Sequence, residues 1–307
     1  MVKTPVLLIG FNRPDNMGKV FEQIRKSQPE VLYIAVDGAR DNKPGETDRC
    51  KECQSFAQKV DWPCDVHTLF RDKNVGCALG VSGAISWAFE STERLIILED
   101  DCVPQESFFA FCDEMLEKYN GDTRIWQVCG RSYHPGSRFF EKSDYVFSRY
   151  AHIWGWATWK RCWEHFDLKM NDFPDFIANG GAMNVYQSKR LGKKSNKGYS
   201  KVYKNIDYIS SHTWDYQWSY TKLKNAALGI VPCQNLIRNI GGDSGAHATG
   251  QYKETLTIGQ VPDNIRHPRF VLPDREYDDY HYRHHIRGSF WVKAYNKLTL
   301  VLRKTFR

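Results

Sequence analysis

The 307-residue chain contains no window of 18 apolar residues, so nothing in it reads as a membrane span. A strand and helix pattern runs through the N-terminal half, yet no G-x-G-x-x-G accompanies it, which removes the dinucleotide fingerprint of a dehydrogenase. The first strand is followed by F-N-R-P-D-N rather than by a Gly-rich, basic phosphate loop. There are nine cysteines, an odd number. Cys50 and Cys53 form a C-x-x-C, but the second close pair that structural zinc sites use is missing. The opening M-V-K-T-P-V-L-L-I-G-F has an apolar run too short for a secretory h-region, and it is read as a strand. Reduced thiols and a cytoplasmic location are the expectation.

Net charge is also missing from most of the chain. The net charge is +7, and seven basic residues with no acid lie between His281 and Arg307. The remaining body is formally neutral, which argues against a general nucleic-acid-binding surface. In that tail, Trp291, Ala294, Tyr295, Leu298, Val301, Leu302 and Phe306 share one helical face and Lys293, Lys297, Lys304 and Arg307 the other. Such a basic amphipathic helix suits an anionic membrane surface, although its apolar face could equally pack on the body.

What is present starts with an acidic strand end, R-L-I-I-L-E-D-D-C-V-P, from Arg94 to Pro104. Leu95 to Leu98 is short enough for a buried strand, and Glu99, Asp100 and Asp101 follow where it surfaces. Three adjacent carboxylates repel one another, so ionising all of them needs a counter-charge such as a divalent cation. Hard oxygen donors suit Mg²⁺ or Mn²⁺. A solvated acidic turn is the plainer alternative.

Around it, apolar runs at Val6 to Gly10, Val31 to Val36 and Asp65 to Phe70 alternate with helical patterns. That alternation predicts an α/β fold with an open, mostly parallel sheet flanked by helices. Residues 121–280 are less regular. Strands are expected in I-W-Q-V-C-G, Y-V-F-S-R-Y and G-I-V-P-C, and a helix over Tyr216–Lys224. Gln187 to Lys201 holds six basic residues and no acid and reads as a solvated insert. Asn239 to Gly250 is Gly-rich without apolar periodicity, a loop able to close over a ligand. Aromatic residues make up 14% of the chain, which fits sugar or nucleobase surfaces and a heavily aromatic core alike.

The blocks L-I-G-F-N-R-P, Y-I-A-V-D-G, the E-D-D strand, R-I-W-Q-V, H-I-W-G-W-A-T-W and T-W-D-Y-Q-W occur in that order between about Val6 and Gly250. In them the chain resembles the GT-A glycosyltransferases, specifically the N-acetylglucosaminyltransferases that start complex N-glycans in the Golgi, with their bacterial relatives. The resemblance implies a Rossmann-like nucleotide-diphospho-sugar transferase domain over 1–280. Its nucleotide-binding half would span about 1–120 and its acceptor-binding half about 121–280, with 281–307 as the basic C-terminal helix. It implies that Asp101 binds Mn²⁺ or Mg²⁺ and that Glu99 and Asp100 position the ribose, the sugar and nearby basic groups. Arg13 would pair with the acids and Asp37 would bond the uracil.

Asp215, in T-W-D-Y-Q-W, matches the family's catalytic base; a helix-capping Asp is the structural alternative. Ser244 and His247 would close over the diphosphate, and His247 would either ligate the metal or only hydrogen-bond. The activity implied is metal-dependent, inverting transfer of GlcNAc or a related hexose from a UDP-sugar to a glycan. Against the Golgi enzymes the expectation is a protein without their N-terminal membrane anchor and with added basic segments, so the expected acceptor is lipid-linked and the expected place the inner face of a membrane. A sugar nucleotidyltransferase and a non-catalytic glycan- or nucleotide-binding protein on the same fold are the alternatives. Removing residues 288–307 is expected to abolish co-sedimentation with anionic liposomes; equal sedimentation of both forms would dismiss the membrane role.

Overall fold

A computed structural model describes residues 2–186, 188–241 and 256–286. Ser244, His247 and the basic helical pattern from Trp291 to Phe306 lie outside the described residues.

Strand β1 (Val6–Gly10) is buried along its whole length and leads into α1 (Pro14–Ser27). Pro14 opens this helix, Asp15 sits in its first turn and Arg25 and Lys26 in its last, matching the helix dipole. Met17, Val20, Phe21 and Ile24 form its buried face. There follow β2 (Val31–Val36), α2 (Glu46–Gln54), β3 (Asp65–Phe70), α3 (Gly76–Ala88), β4 (Arg94–Glu99), the short β5 (Cys102–Pro104) and α4 (Glu106–Lys118). The second half contains β6 (Ile125–Cys129), β7 (Tyr145–Ser148), β8 (Trp156–Trp159), α5 (Lys160–Trp163), α6 (Phe173–Ala178) and α7 (Ala182–Val185). It continues through α8 (Lys189–Lys204), α9 (Ile206–His212), α10 (Asp215–Lys224), β9 (Leu228–Pro232), β10 (Ile237–Asn239) and α11 (Arg275–His281).

Among the described residues, eight strands form one mixed sheet in the order β3-β2-β1-β4-β8-β6-β9-β7. The pairings make β7 and β8 antiparallel to the other strands, so the sheet is mostly parallel, an α/β fold as expected. Strands β1, β2 and β4 are nearly continuous apolar runs, the pattern of strands covered on both faces. The chain builds outward from β1 to β3 and then returns to place β4 on the other side of β1. This reversal opens a crevice at the carboxyl ends of β1 and β4. A two-stranded sheet, β5 with β10, lies beside it.

The tryptophan-rich blocks are core. Trp156 of β8 stacks on Trp214 with ring centroids 5.7 Å apart, and Trp163 packs against Trp218 at 5.3 Å. Trp156, Trp214 and Trp218 are all buried. Gly155, in the same block, has φ +57°, and a Cβ there would lie 2.3 Å from Ile237 Cδ1. Only glycine meets both demands.

The Lys-rich stretch departs from expectation. Residues 189–204 form helix α8, not a solvated loop. Tyr199, Val202 and Tyr203 pack around Met170, Phe173 and Tyr220 in a small second core, and Ser188 caps the N-terminus by accepting the Leu191 N–H. Gly192 and Gly198 obscure this pattern in the sequence. Of the described helices, none is long and apolar enough to cross a membrane. All nine cysteines are free, and Cys50 and Cys53 are buried thiols on α2.

Gly155→Ala is expected to destabilise the fold by about 2 kcal/mol or more, from overpacking plus left-handed strain. Urea denaturation would show this as a lower midpoint at unchanged slope.

Candidate active site

Three strand ends deliver the sequence-predicted residues to one edge of the sheet. Arg13 follows β1, Asp37 follows β2, and Glu99 closes β4 with Asp100 and Asp101 after it. Arg13 makes a two-pronged ion pair with the buried Asp100, and its Nη1 lies 3.0 Å from Asp101 Oδ2. Burial opposes the Arg13 charge, but Asp100 and Asp101 outweigh it and hold the guanidinium above its ordinary pKa. Burial raises Asp100 to about 6, against the pull of Arg13. Glu99 is pushed up to about 8 by burial, then by Asp101 and Asp100. One guanidinium therefore does not neutralise three acids.

Asp37 is clamped. Its carboxylate accepts main-chain N–H bonds from Gly38 at 2.9 Å, Val75 at 3.1 Å and Gly76 at 3.2 Å, and one from Asn74 Nδ2 at 3.0 Å. Burial raises its pKa and the N–H donors of Val75 and Gly38 oppose that. The base-binding role expected of Asp37 would need one oxygen to exchange a protein donor for the base. Beside Asp37 opens a polar cavity of about 740 Å³, with Arg40, Lys43, Lys51 and Arg71 on its walls. Glu46, buried beneath it, accepts the Arg40 guanidinium and the Asn12 amide, and Arg40 holds it down to about 2.

Asp215 is the first residue of α10, in the turn after the N-cap Trp214. It accepts the Thr213 hydroxyl. The stacked Trp214 and Trp156 fix its place, because Trp156 pairs with Ile97, two residues before Glu99. Asp215 contributes to the raised Glu99 pKa, and Cys77 feels Glu99, Asp215 and Asp101 together. The acidic strand end and Asp215 thus share one neighbourhood.

Asp215 also lines a second cavity of about 600 Å³, walled by Tyr150, His152, Trp154, Tyr186 and one face of α8. Sequence reasoning missed this wall, because α8 was read as an insert. Buried Lys222 reaches the same cavity. It bonds Gln127 Oε1 at 2.5 Å, and burial lowers its pKa to about 8.

Strand β10 brings Gly241 against Asp101. Ile240 N–H donates to the Asp101 carbonyl at 2.8 Å, and a Cβ on Gly241 would lie 2.3 Å from Asp101 Oδ2. The chain leaves the described residues at this point, before Ser244 and His247.

No family model matches the sequence. No curated protein matches it either. Among solved structures, the chain is similar to S. aureus TarS 1-349, with 9% identity and TM-score 0.36 over 53% of this chain and 48% of that one. It therefore spans about half the length of that structure. It is also similar to a UDP-glucose pyrophosphorylase complexed with UDP-glucose, at 10% identity and TM-score 0.30 over 54% of this chain and 79% of that one. A cytidylyltransferase from Leptospira borgpetersenii serovar Hardjo-bovis matches at 10% identity and TM-score 0.30, over 68% of this chain and 74% of that one. At these values the chemistry rests on this chain's own residues.

The raised Glu99 pKa has a consequence for stability. A folded-state pKa above the unfolded value near 4.5 means that stability present at low pH is lost as pH rises toward about 8. In metal-free buffer, unfolding free energy should fall between pH 5 and pH 8 by on the order of a few kcal/mol. Glu99→Gln should flatten that fall, as read from urea midpoints at the two pH values.

Proposed function

We propose that this protein is a metal-dependent, inverting glycosyltransferase that uses a UDP-sugar. The observation that carries this reading is the meeting of the Arg13–Glu99–Asp100–Asp101 cluster with Asp215, which also lines an aromatic cavity. The cluster has more negative charge than Arg13 offsets, and its carboxylates are hard oxygen donors, so the residues fit Mn²⁺ or Mg²⁺. Asp101 would hold the ion, with Glu99 beside it. Bound there, such an ion neutralises the charge that develops on the departing diphosphate.

The nucleoside enters between Arg13 and the Asp37 clamp, beside the basic cavity. The acceptor sugar lies in the aromatic cavity, whose flat rings suit the apolar faces of a pyranose. Asp215 takes the proton of the acceptor hydroxyl as that oxygen bonds to the anomeric carbon and the bond to the diphosphate breaks, with inversion. GlcNAc or a related hexose is the sugar this reading favours. Arg149, Lys194 and Lys222 at the cavity suit an acceptor carried on a lipid diphosphate. Ser244 and His247 complete the diphosphate site in the same proposal.

Calorimetric titration of UDP with and without Mn²⁺ tests the donor half. Binding should depend on the metal and be lost in Asp101→Asn. Asp215→Asn should retain UDP binding while UDP release from the sugar nucleotide falls by roughly 10²-fold or more. Absence of UDP binding under every condition would overturn the reading. Unchanged turnover in Asp215→Asn would remove Asp215 as the base.

A further inference from the structure

The aromatic cavity carries a cluster that the proposed transfer reaction does not use. His152 comes from the segment between β7 and β8, while His281 ends α11 and His285 lies one helical turn further on. One nitrogen from each of these three imidazoles lies within 4.8 Å of the other two. Residues four apart on a helix present two side chains to one side, the spacing that zinc-binding helices use. Two of the donors have no other employment. Nε2 of His152 and Nε2 of His281 are closed to solvent and have no hydrogen-bond partner among the described residues. His281 is fully buried. Orphaned ring nitrogens of this kind are costly unless something binds them.

The surroundings are built to hold the rings. His281 Nδ1 lies 3.2 Å from His134 Nε2, which leaves Nε2 as its free nitrogen and supplies the outer partner that ligating imidazoles commonly have. The His152 carbonyl accepts the Gln127 amide at 2.6 Å, and its N–H meets Cys129 Sγ at 3.4 Å. Tyr133 packs on His285 with ring centroids 3.6 Å apart. Helix α11 is anchored through Asp278, which accepts the Ser148 hydroxyl at 2.5 Å, and through Tyr277, which is buried and stacked on His281.

We propose that His152, His281 and His285 bind a zinc ion in the wall of the aromatic cavity, distinct from the acidic cluster. Three imidazoles with an open fourth position are a known zinc arrangement, with ligand nitrogens at about 2.0–2.1 Å and hence about 3.4 Å apart. Zinc binding would draw the three nitrogens in from the observed spacing of up to 4.8 Å. Arg131 and Lys222 both oppose added positive charge at His152, so an anionic fourth ligand suits the ion, hydroxide from water being the simplest. His152 and His285 line the cavity, so that fourth position opens toward it.

The test uses the full chain without a polyhistidine tag, expressed with added Zn²⁺ and dialysed. Elemental analysis should find about one zinc per chain. Replacing zinc with Co²⁺ should give the visible d–d absorption of a tetrahedral site. His152→Ala and His285→Ala should each lose the zinc while keeping the wild-type circular dichroism, and Asp101→Asn should keep it. No retained zinc together with no Co²⁺ band in the wild-type protein would overturn the proposal, without depending on any variant's folding. Full zinc content in the His152→Ala, His285→Ala double variant would overturn it equally. Neither outcome bears on UDP binding, so this site stands or falls apart from the transferase reading.

Discussion

The interlock of Trp156, Trp163, Trp214 and Trp218 is the constraint on which the site geometry depends. These rings join strand β8, in the middle of the sheet, to the first turns of α10. Large aromatic side chains bury much apolar surface at low cost in rotamer freedom, so the joint is both stable and stiff. Asp215 sits at its lip. Its distance from the acidic strand end is thereby set by packing rather than by a loop, a precondition for any proton transfer that must coincide with bond breaking elsewhere.

Charge is organised the same way. Arg13 fixes Asp100 and partly serves Asp101, leaving an acidic excess at the crevice, while basic side chains gather in both adjoining cavities. In the transfer reaction proposed above, a nucleotide diphosphate would sit beside these acids only with a cation between. The second cavity, by contrast, is mostly rings. One side of the site is thus charged, and the other is mostly aromatic.

The sequence made β1, β2 and β4 legible because each is a nearly continuous apolar run bounded by turn residues, as in Val31 to Val36. The acids of β4 were equally visible, since they interrupt such a run abruptly. Helix α8 was not, because Gly192, Gly198 and seven basic residues hide an apolar face that has meaning only against Phe173 and Tyr220, outside the helix. Strands β5 and β10 are three residues each and exist by pairing with one another. The capping alternative for Asp215 was reasonable from spacing alone. In the structure α10 starts at Asp215 itself, one residue earlier than the spacing implied. The histidine cluster was invisible for the same reason as α8: His152 meets His281 and His285 only once α11 docks on β7.

The strand order also dictates when the protein can fold. Strand β4 lies between β1 and β8, and β8 is reached only after β6 and β7 have been made. A growing chain that has completed β1 to β4 therefore displays R-L-I-I-L-E as an open, apolar edge without proline until Trp156–Trp159 emerges. Such edges recruit other strands, and non-local pairing closes slowly. Strand β9 must then insert between β6 and β7, so this end of the sheet is completed last. During synthesis the first four strands wait, half-finished and adhesive, for the tryptophans that will seal them.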